Sequence, residues 1–503
     1  MKSRIIIFIL LAISNTTLIF GQKPAFPFPY HVNYTKGSIK PNNQTQAQID
    51  NEIKAFYNHW KSVYLKTGCG DTTQYYVEYI NGPAICVSEG QGYGMVITAY
   101  MAGYDSMAKT YFDGLYKWYT MHPSNINPLL MNWQQGVGCI SIGNDAATDG
   151  DLDIAYALLL ADKQWGSSGK INYLEKALNI INAIKQSEIY SLVNSTQLGD
   201  WANGDHQFED DSRTSDFMFD HFRSFQKATS DATWNNILNE CYNLVDSMQT
   251  NYSPVTGLLP DFIEDCDGIP HPAAPNFLEG AEDGFYYYNA CRTPWHLGVD
   301  YLTSGDVRAK KACDLMNTWL KNHTGNNINK IRSGYQLNGN DIAGNNYQDL
   351  AFMAPFAVGA CVNSANQTWL NDLWTYIINE PIGNSDYYGN TIKMLCMIIL
   401  AGDYWTPLGV ISGLNDSALK SEINHFKIFP NPFSTQTTLL TNTPLHNATI
   451  IVDNYFGQTV KQITNISSQS IIFQRGNLPS GLYFLHLLQD NNTIMTAKII
   501  ITD

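Results

Sequence analysis

A chain of 503 residues with a formal charge of −15 is long enough for one large domain and a small one, or for two or three of average size. Its acidity argues against nucleic acid, whose binding needs Lys and Arg to displace phosphate counterions. Hydrophobic residues make up 44% of it, as in an ordinary globular core, while 30 Tyr and 11 Trp supply rings either for a large core or for a cleft that stacks on the apolar faces of sugars.

Residues 1–21 read as a secretory signal peptide: Lys2 and Arg4 start it, an apolar run follows over 5–13, and cleavage is expected near Gly21 and Gln22. That run is too short to span a bilayer, and no later stretch reaches the required ~20 residues. The expected mature protein is therefore exported, with no membrane span. Nine cysteines, all before residue 400, lack zinc spacing. Cys69 and Cys86 lie in loop-like sequence and can pair after export, whereas Cys313 and Cys396 fall inside apolar helical patterns and read as core.

From about residue 44 to 402 the pattern predicts twelve helices, starting near Gln44, Ser88, Asp105, Thr148, Lys170, Ser215, Asp231, Tyr286, Gly305, Tyr347, Gln367 and Ser385. Ile49, Ile53, Phe56 and Trp60 make the apolar stripe of the first. Odd-numbered stretches carry one polar face, as outer helices do. Even-numbered ones, such as 90–103 and 154–161, are nearly uncharged and read as buried all round. Alternating outer and inner helices give an (α/α)6 barrel over residues 22–405. No sequence period supports a stacked repeat instead.

Residues 406–425 read as a linker. From 426 to 503 short alternating runs broken by Asn-Pro, Phe-Gly and Ser-Gly predict a small β-sandwich. The segments FPNPF (429–433), NYFGQ (454–458), LPSGLY (478–483) and KIII (498–501) together resemble the C-terminal sorting domain of type IX secretion. That resemblance implies a partnership with the type IX machinery and passage through the outer membrane. The plainer alternative is a carbohydrate-binding β module.

Two inner helices open alike, SEGQ at 88–91 and TDGD at 148–151. Each sets a hydroxyl residue three positions before a side chain able to reach back, the pattern of a capping box. Each also places a carboxylate, Glu89 or Asp149, beside a glycine at the helix start. In an alternating barrel the inner N-termini meet at one end, so Glu89 and Asp149 should share a cleft. The bland alternative is that both merely complement the helix dipole. Repetition of the pattern favours a site.

Residues 147–165 (ATDGDLDIAYALLLADKQW) and 88–95 (SEGQGYGM) resemble the signature and general-acid segments of glycoside hydrolase family 8. RTSDFM at 213–218 and YNACRTPW at 288–295 extend the resemblance over about 40–405. It implies an (α/α)6 barrel that cleaves β-1,4-linked glucan, xylan or chitosan with inversion. Glu89 is then the general acid, and Asp149 contacts the sugar on the non-reducing side of the cut. Many members carry an Asp base where this chain has Asn289, and an amide cannot take a proton from water. A subgroup with Asn there uses a Glu from a longer preceding loop, and in this chain that loop offers Glu279, which follows the apolar anchor Phe277-Leu278, with Glu282 and Asp283 as alternatives. If none serves, the chain is a non-catalytic glycan-binding protein.

A helix N-terminus favours the ionised carboxylate, so something must raise the pKa of an acid at Glu89. Desolvation and a charged Asp149 both would. Inversion also requires the two catalytic carboxyls to stand roughly 6.5–9.5 Å apart, leaving room for water. Trp133 and Trp201, in polar loops, are candidate sugar platforms. One of the rings 286–288, Tyr288 foremost, should line the cleft. Arg292 and Asp216 are candidates to hold the catalytic groups through ion pairs. His271 and His296 show no metal-partner spacing, and the sequence calls for no cofactor. The expected substrate is β-glucan, cellulosic or mixed-linkage, or chitosan, to which an acidic chain is suited.

Overall fold

The computed structural model describes residues 23–79, 82–383, 386–408, 427–440, 445–454, 458–489 and 492–502. The expected signal peptide, most of the expected linker and the expected helix start at Ser385 lie outside the described residues. The chain divides into two compact units, one up to Ser412 and one from Gly413.

Among its described residues the first unit contains twelve α-helices: α1 Gln46–Tyr64, α2 Ser88–Tyr100, α3 Ala108–Met121, α4 Thr148–Trp165, α5 Tyr173–Ser187, α6 Phe219–Thr229, α7 Thr233–Asn251, α8 Thr293–Ser304, α9 Val307–Thr324, α10 Leu350–Ala360, α11 Gln367–Asn379 and α12 Tyr387–Ala401. The even-numbered helices pack in a closed ring, each on the next and α12 on α2. Each odd-numbered helix packs outside on its neighbour, α1 doing so on α12. This is an (α/α)6 barrel. Every residue of α10 is buried, and α4 is buried almost throughout. On the outer α1 only one stripe is buried, made by Ile49, Ile53, Tyr57, Trp60 and Tyr64. Tyr57, not Phe56, completes it.

Several local expectations change. Neither Ser88 nor Thr148 caps its helix; both are first helical residues, after Val87 and Ala147. Their partners turn away from the buried helix ends, where the N–H groups of Ser88 and Thr148 donate instead to the loop carbonyls of Trp133 and Leu198. Gln91 donates to the carbonyls of Tyr75 and Leu115, Thr148 to that of Gln197, and Asp151 accepts from Met131 N–H. A true capping box occurs on α1, between Thr45 and Gln48.

The helix expected from Tyr286 starts at Thr293, with Pro294 in its first turn. Tyr286 instead exchanges two backbone hydrogen bonds with Tyr335. The start expected at Ser215 is a 3₁₀ turn, Thr214–Asp216, before α6. Cys69 pairs with Cys139, their Cα atoms 5.9 Å apart. Cys86 is instead a buried thiol beside Gln91. Cys313 and Cys396 are buried, as expected of core residues.

Among its described residues the second unit has two antiparallel sheets around one apolar core. Strands Lys427–Phe429, Gln436–Leu440 and Ser470–Gln474 pair in that order. Thr459–Ile466, Ala448–Asn454, Gly481–Gln489 and Asn492–Ile501 form the other sheet. Leu439, Ile450, Val452, Phe473, Leu485 and Ile499 fill the space enclosed.

At the start of the inner ring, α2 and α4 approach through glycine. A Cβ on Gly92 would lie 2.6 Å from that of Asp153 and 3.0 Å from Gly150 O, and one on Gly150 would strike the side chain of Ser88. Gly92→Ala is expected to destabilise this unit by about 1–3 kcal/mol through overpacking, seen as a lower denaturation midpoint in urea.

Candidate active site

The N-terminal ends of the inner helices converge on one open cleft of about 580 Å³. Glu89 comes from the first turn of α2 and Asp149 from that of α4. Arg213 precedes α6, Tyr288, Asn289 and Arg292 precede α8, Asp349 caps α10, and Asp386 to Tyr388 open α12. Glu279 and Trp133 reach the wall from loops.

Arg292 is the hub. It is 1% exposed, and its Nη1 donates to Glu89 Oε2 and to Asp149 Oδ2, each at 2.9 Å. Its Nη2 donates to Ser215 Oγ at 2.8 Å and to Asn289 Oδ1 at 3.0 Å. Arg213 completes the ion-pair system, 3.1 Å from Asp149 Oδ1 and 3.0 Å from Asp216 Oδ1. Asp216 is fully buried behind Arg213 and does not line the cleft. It therefore bears on Asp149 through Arg213.

Glu89 Oε1 accepts from Tyr387 Oη at 3.1 Å. Gly90 makes this possible, since a Cβ there would meet the Tyr387 hydroxyl at 2.3 Å. Burial pushes the Glu89 carboxyl up to about 7, against the pull of Arg292 and Tyr387 and with help from Asp149. Burial also works against a charge on Asp149, yet Arg213 and Arg292 outweigh it and hold that carboxyl below its ordinary range. The two carboxyls, one turn into adjacent helices, are thus pushed in opposite directions.

The three loop carboxylates have separate fates. Asp283 is buried, and its oxygens accept from the N–H groups of Leu278, Glu279 and Gly280. It shapes the loop. Glu282 stands off the cleft wall. Glu279 lines the cleft, and its Oε2 accepts from Asn289 Nδ2 at 2.9 Å. Phe277 anchors the loop against Phe208 and Phe262, whereas Leu278 is exposed. Asp261 Oδ1 fixes the other side of Asn289 by accepting from the N–H groups of Tyr287 and Ala290. Burial pushes that carboxyl up to about 8.

Trp133 stands 37% exposed on the cleft wall. Trp201 packs edge-on against Phe208 in a small satellite core, away from that wall. Among the tyrosines, Tyr288 lines the cleft with its hydroxyl on Asp349. His271 lies in a short strand. His296 is buried against Trp295, its ring pushed down to about 3 by burial and by Arg292. Arg213, Tyr387, Asp349 and Asp386 were not singled out as site residues from sequence. The only local signal was Arg213's place at the head of the RTSDFM segment.

Glycosyl hydrolases family 8 matches residues 26–402. The chain belongs to this family. A secretion system C-terminal sorting domain matches residues 427–502. A beta-glucanase of Niallia circulans is 49% identical over 385 residues, 76% of this chain and 92% of that protein. An endoglucanase of Bacillus sp. (strain KSM-330) is 42% identical over 407 residues, 79% of this chain and 85% of that protein. The apo structure of a beta-1,3-1,4-glucanase from Paenibacillus sp. X4 superposes with a TM-score of 0.73 at 48% identity, covering 76% of this chain and all of that one. The chain is thus a glycoside hydrolase with a secretion-sorting tail, and no helix among its described residues is long and apolar enough to cross a membrane.

The raised Glu89 pKa is linked to stability. With the ordinary value of 4.5 unfolded and about 7 folded, the fold favours the neutral carboxyl. That contribution is fully present below about pH 4.5 and is lost as pH rises through about 7. Glu89→Gln removes the titration. Its melting temperature relative to the parent is expected to rise across that window, measured by thermal unfolding from pH 4 to 8.

Proposed function

We propose that this protein is an inverting endo-β-1,4-glucanase acting on β-glucan, mixed-linkage or cellulosic, with Glu89 as general acid and Glu279 as general base. The observation that carries this reading is the pair of carboxyls on one cleft, held apart by the Asn289 amide and the Arg292 guanidinium. An inverting enzyme needs such a gap for water. Asn289 does not leave the site without a base. Its Nδ2 donates to Glu279, so it aims the carboxylate that replaces it.

In the proposed reaction a glucan chain lies along the cleft with one sugar on Trp133. Ionised Asp149 grips a sugar hydroxyl on the non-reducing side and helps Glu89 keep its proton. Glu89 gives that proton to the glycosidic oxygen while Glu279 takes one from the attacking water, so the anomeric centre inverts without a covalent intermediate. The β-glucanase and endoglucanase relatives support a β-glucan substrate. Chitosan is a second reading, favoured by Asp349 and Asp386 on the same wall. The sorting domain supports export to the cell surface or medium by the type IX machinery.

Reducing ends released from mixed-linkage β-glucan, carboxymethylcellulose, chitosan and xylan test the substrate, with β-glucan expected to be fastest. Binding without cleavage of any of them would sink the proposal. Glu89→Ala and Glu279→Ala should each lower kcat by about 10²–10⁴-fold, while Glu282→Ala stays near the parent. Near-normal turnover of Glu279→Ala would refute the base assignment. The basic limb of the pH profile should fall near 7, where Glu89 loses its proton. Asp149→Asn should move that limb to lower pH, because it removes a negative neighbour and leaves Arg292 to Glu89 alone.

A further inference from the structure

A second concavity, of about 530 Å³, lies outside the catalytic cleft, between the segment that follows α9 and the C-terminal half of α11. Outer helices run opposite to inner ones in this barrel. The C-termini of α9 and α11 therefore lie at the end where the inner N-termini form the cleft. The groove and the cleft open on the same end. Burial raises the Tyr376 hydroxyl, to about 12, and the charges of Glu380, Asp349 and Asp386 add to this. Gln348, next in the chain to the cleft residue Asp349, donates to the carbonyl of Ile328 in the groove wall, so the groove sits beside that part of the cleft.

Its chemistry is specific. Tyr376 lies half-buried against the barrel core, with Glu380 beside it on the same groove wall. Around it stand Asn329, Asn379 and Asp372, exposed side chains with no hydrogen bond to any described residue. The amides offer both donors and acceptors and the carboxylates accept. The lining holds no Lys or Arg, which suits neither phosphate nor an acidic peptide. A fixed ring edged by neutral and acidic hydrogen-bonding groups suits a neutral, hydroxyl-rich ligand with apolar faces.

We propose that this groove is an auxiliary glycan-binding site that holds a second stretch of the β-glucan chain cut in the cleft. The proposal rests on the β-glucan reading above for the identity of its ligand. Holding the polymer at two places on one face raises the local concentration of chain at the cleft without touching the chemical step. A short oligosaccharide, which fills the cleft alone, gains nothing from it.

The test uses the full-length protein in native electrophoresis through gels containing soluble mixed-linkage β-glucan, together with hydrolysis of that polymer and of a cello-oligosaccharide. Tyr376→Ala and, separately, the double variant Asn329→Ala with Asn379→Ala are expected to reduce retardation. They should raise KM on the polymer about threefold to tenfold, as loss of one ring contact would, with kcat/KM on the oligosaccharide kept at the parent value. Unchanged retardation and polymer KM in both variants overturn the proposal, as does an equal loss on polymer and oligosaccharide. A parent that migrates through β-glucan as freely as without it overturns the proposal too. A parent that is retarded but cleaves nothing counts against the catalytic reading instead, and the two variants' retardation still decides the groove.

Discussion

One buried guanidinium organises the working end of this barrel. Arg292 leaves water at a cost of several kcal/mol, repaid only where the geometry is good and every donor finds an acceptor. Here Nη1 serves Glu89 and Asp149, Nη2 serves Ser215 and Asn289, and Nε reaches the carbonyl of Asn289. These partners come from α2, α4, the turn before α6 and the turn before α8. The ion-pair cluster thus fixes the register of neighbouring inner helices at their N-termini. A lysine would present a point charge without the planar fork, and could not hold that many groups in one plane.

The same cluster sets the protonation pattern. Arg292 and Arg213 face Glu89, Asp149 and Asp216, three buried or half-buried carboxyls. Two cations cannot offset three anions in a dry site. Asp149, touched by both guanidiniums, keeps its charge, whereas burial pushes Glu89 and Asp216 each up to about 7. Glu89 alone of these two lines the cleft. A residue at a helix N-terminus, where the dipole favours ionisation, thereby comes to hold a proton near neutrality.

The proposed base is placed by different means. Its loop is built from backbone hydrogen bonds to Asp283 and an aromatic anchor at Phe277. Asn289 then joins this loop to the Arg292 cluster. With Nδ2 on Glu279 and Oδ1 on Arg292, the amide reads one carboxylate and one guanidinium. A carboxylate at 289 would satisfy the arginine but repel Glu279. The residue that looks like a lost base in the sequence is the one that holds the proposed base, Glu279, from the loop.

Much of the architecture was legible in the chain because it is written locally. Amphipathic and all-apolar helices alternate, and that periodicity fixes which helices are inner and outer. The ATDGD and SEGQ openings mark the carboxylates at their ends. Local reading failed where polar groups are satisfied at long range. The apparent capping boxes at Ser88 and Thr148 dissolve because buried helix ends bond to neighbouring loops. Cys69 finds Cys139 rather than Cys86, and Tyr286 pairs with Tyr335 instead of starting a helix. Tyr387 reaches Glu89 from 298 residues away, and no spacing rule signals that contact. The sequence by itself determined the barrel, the acidic helix ends and the family. Tertiary structure decided which loop carboxylate enters the cleft and which of Glu89 and Asp149 is pushed toward the neutral form, because burial and charge pairing belong to the assembled fold and not to any segment of it.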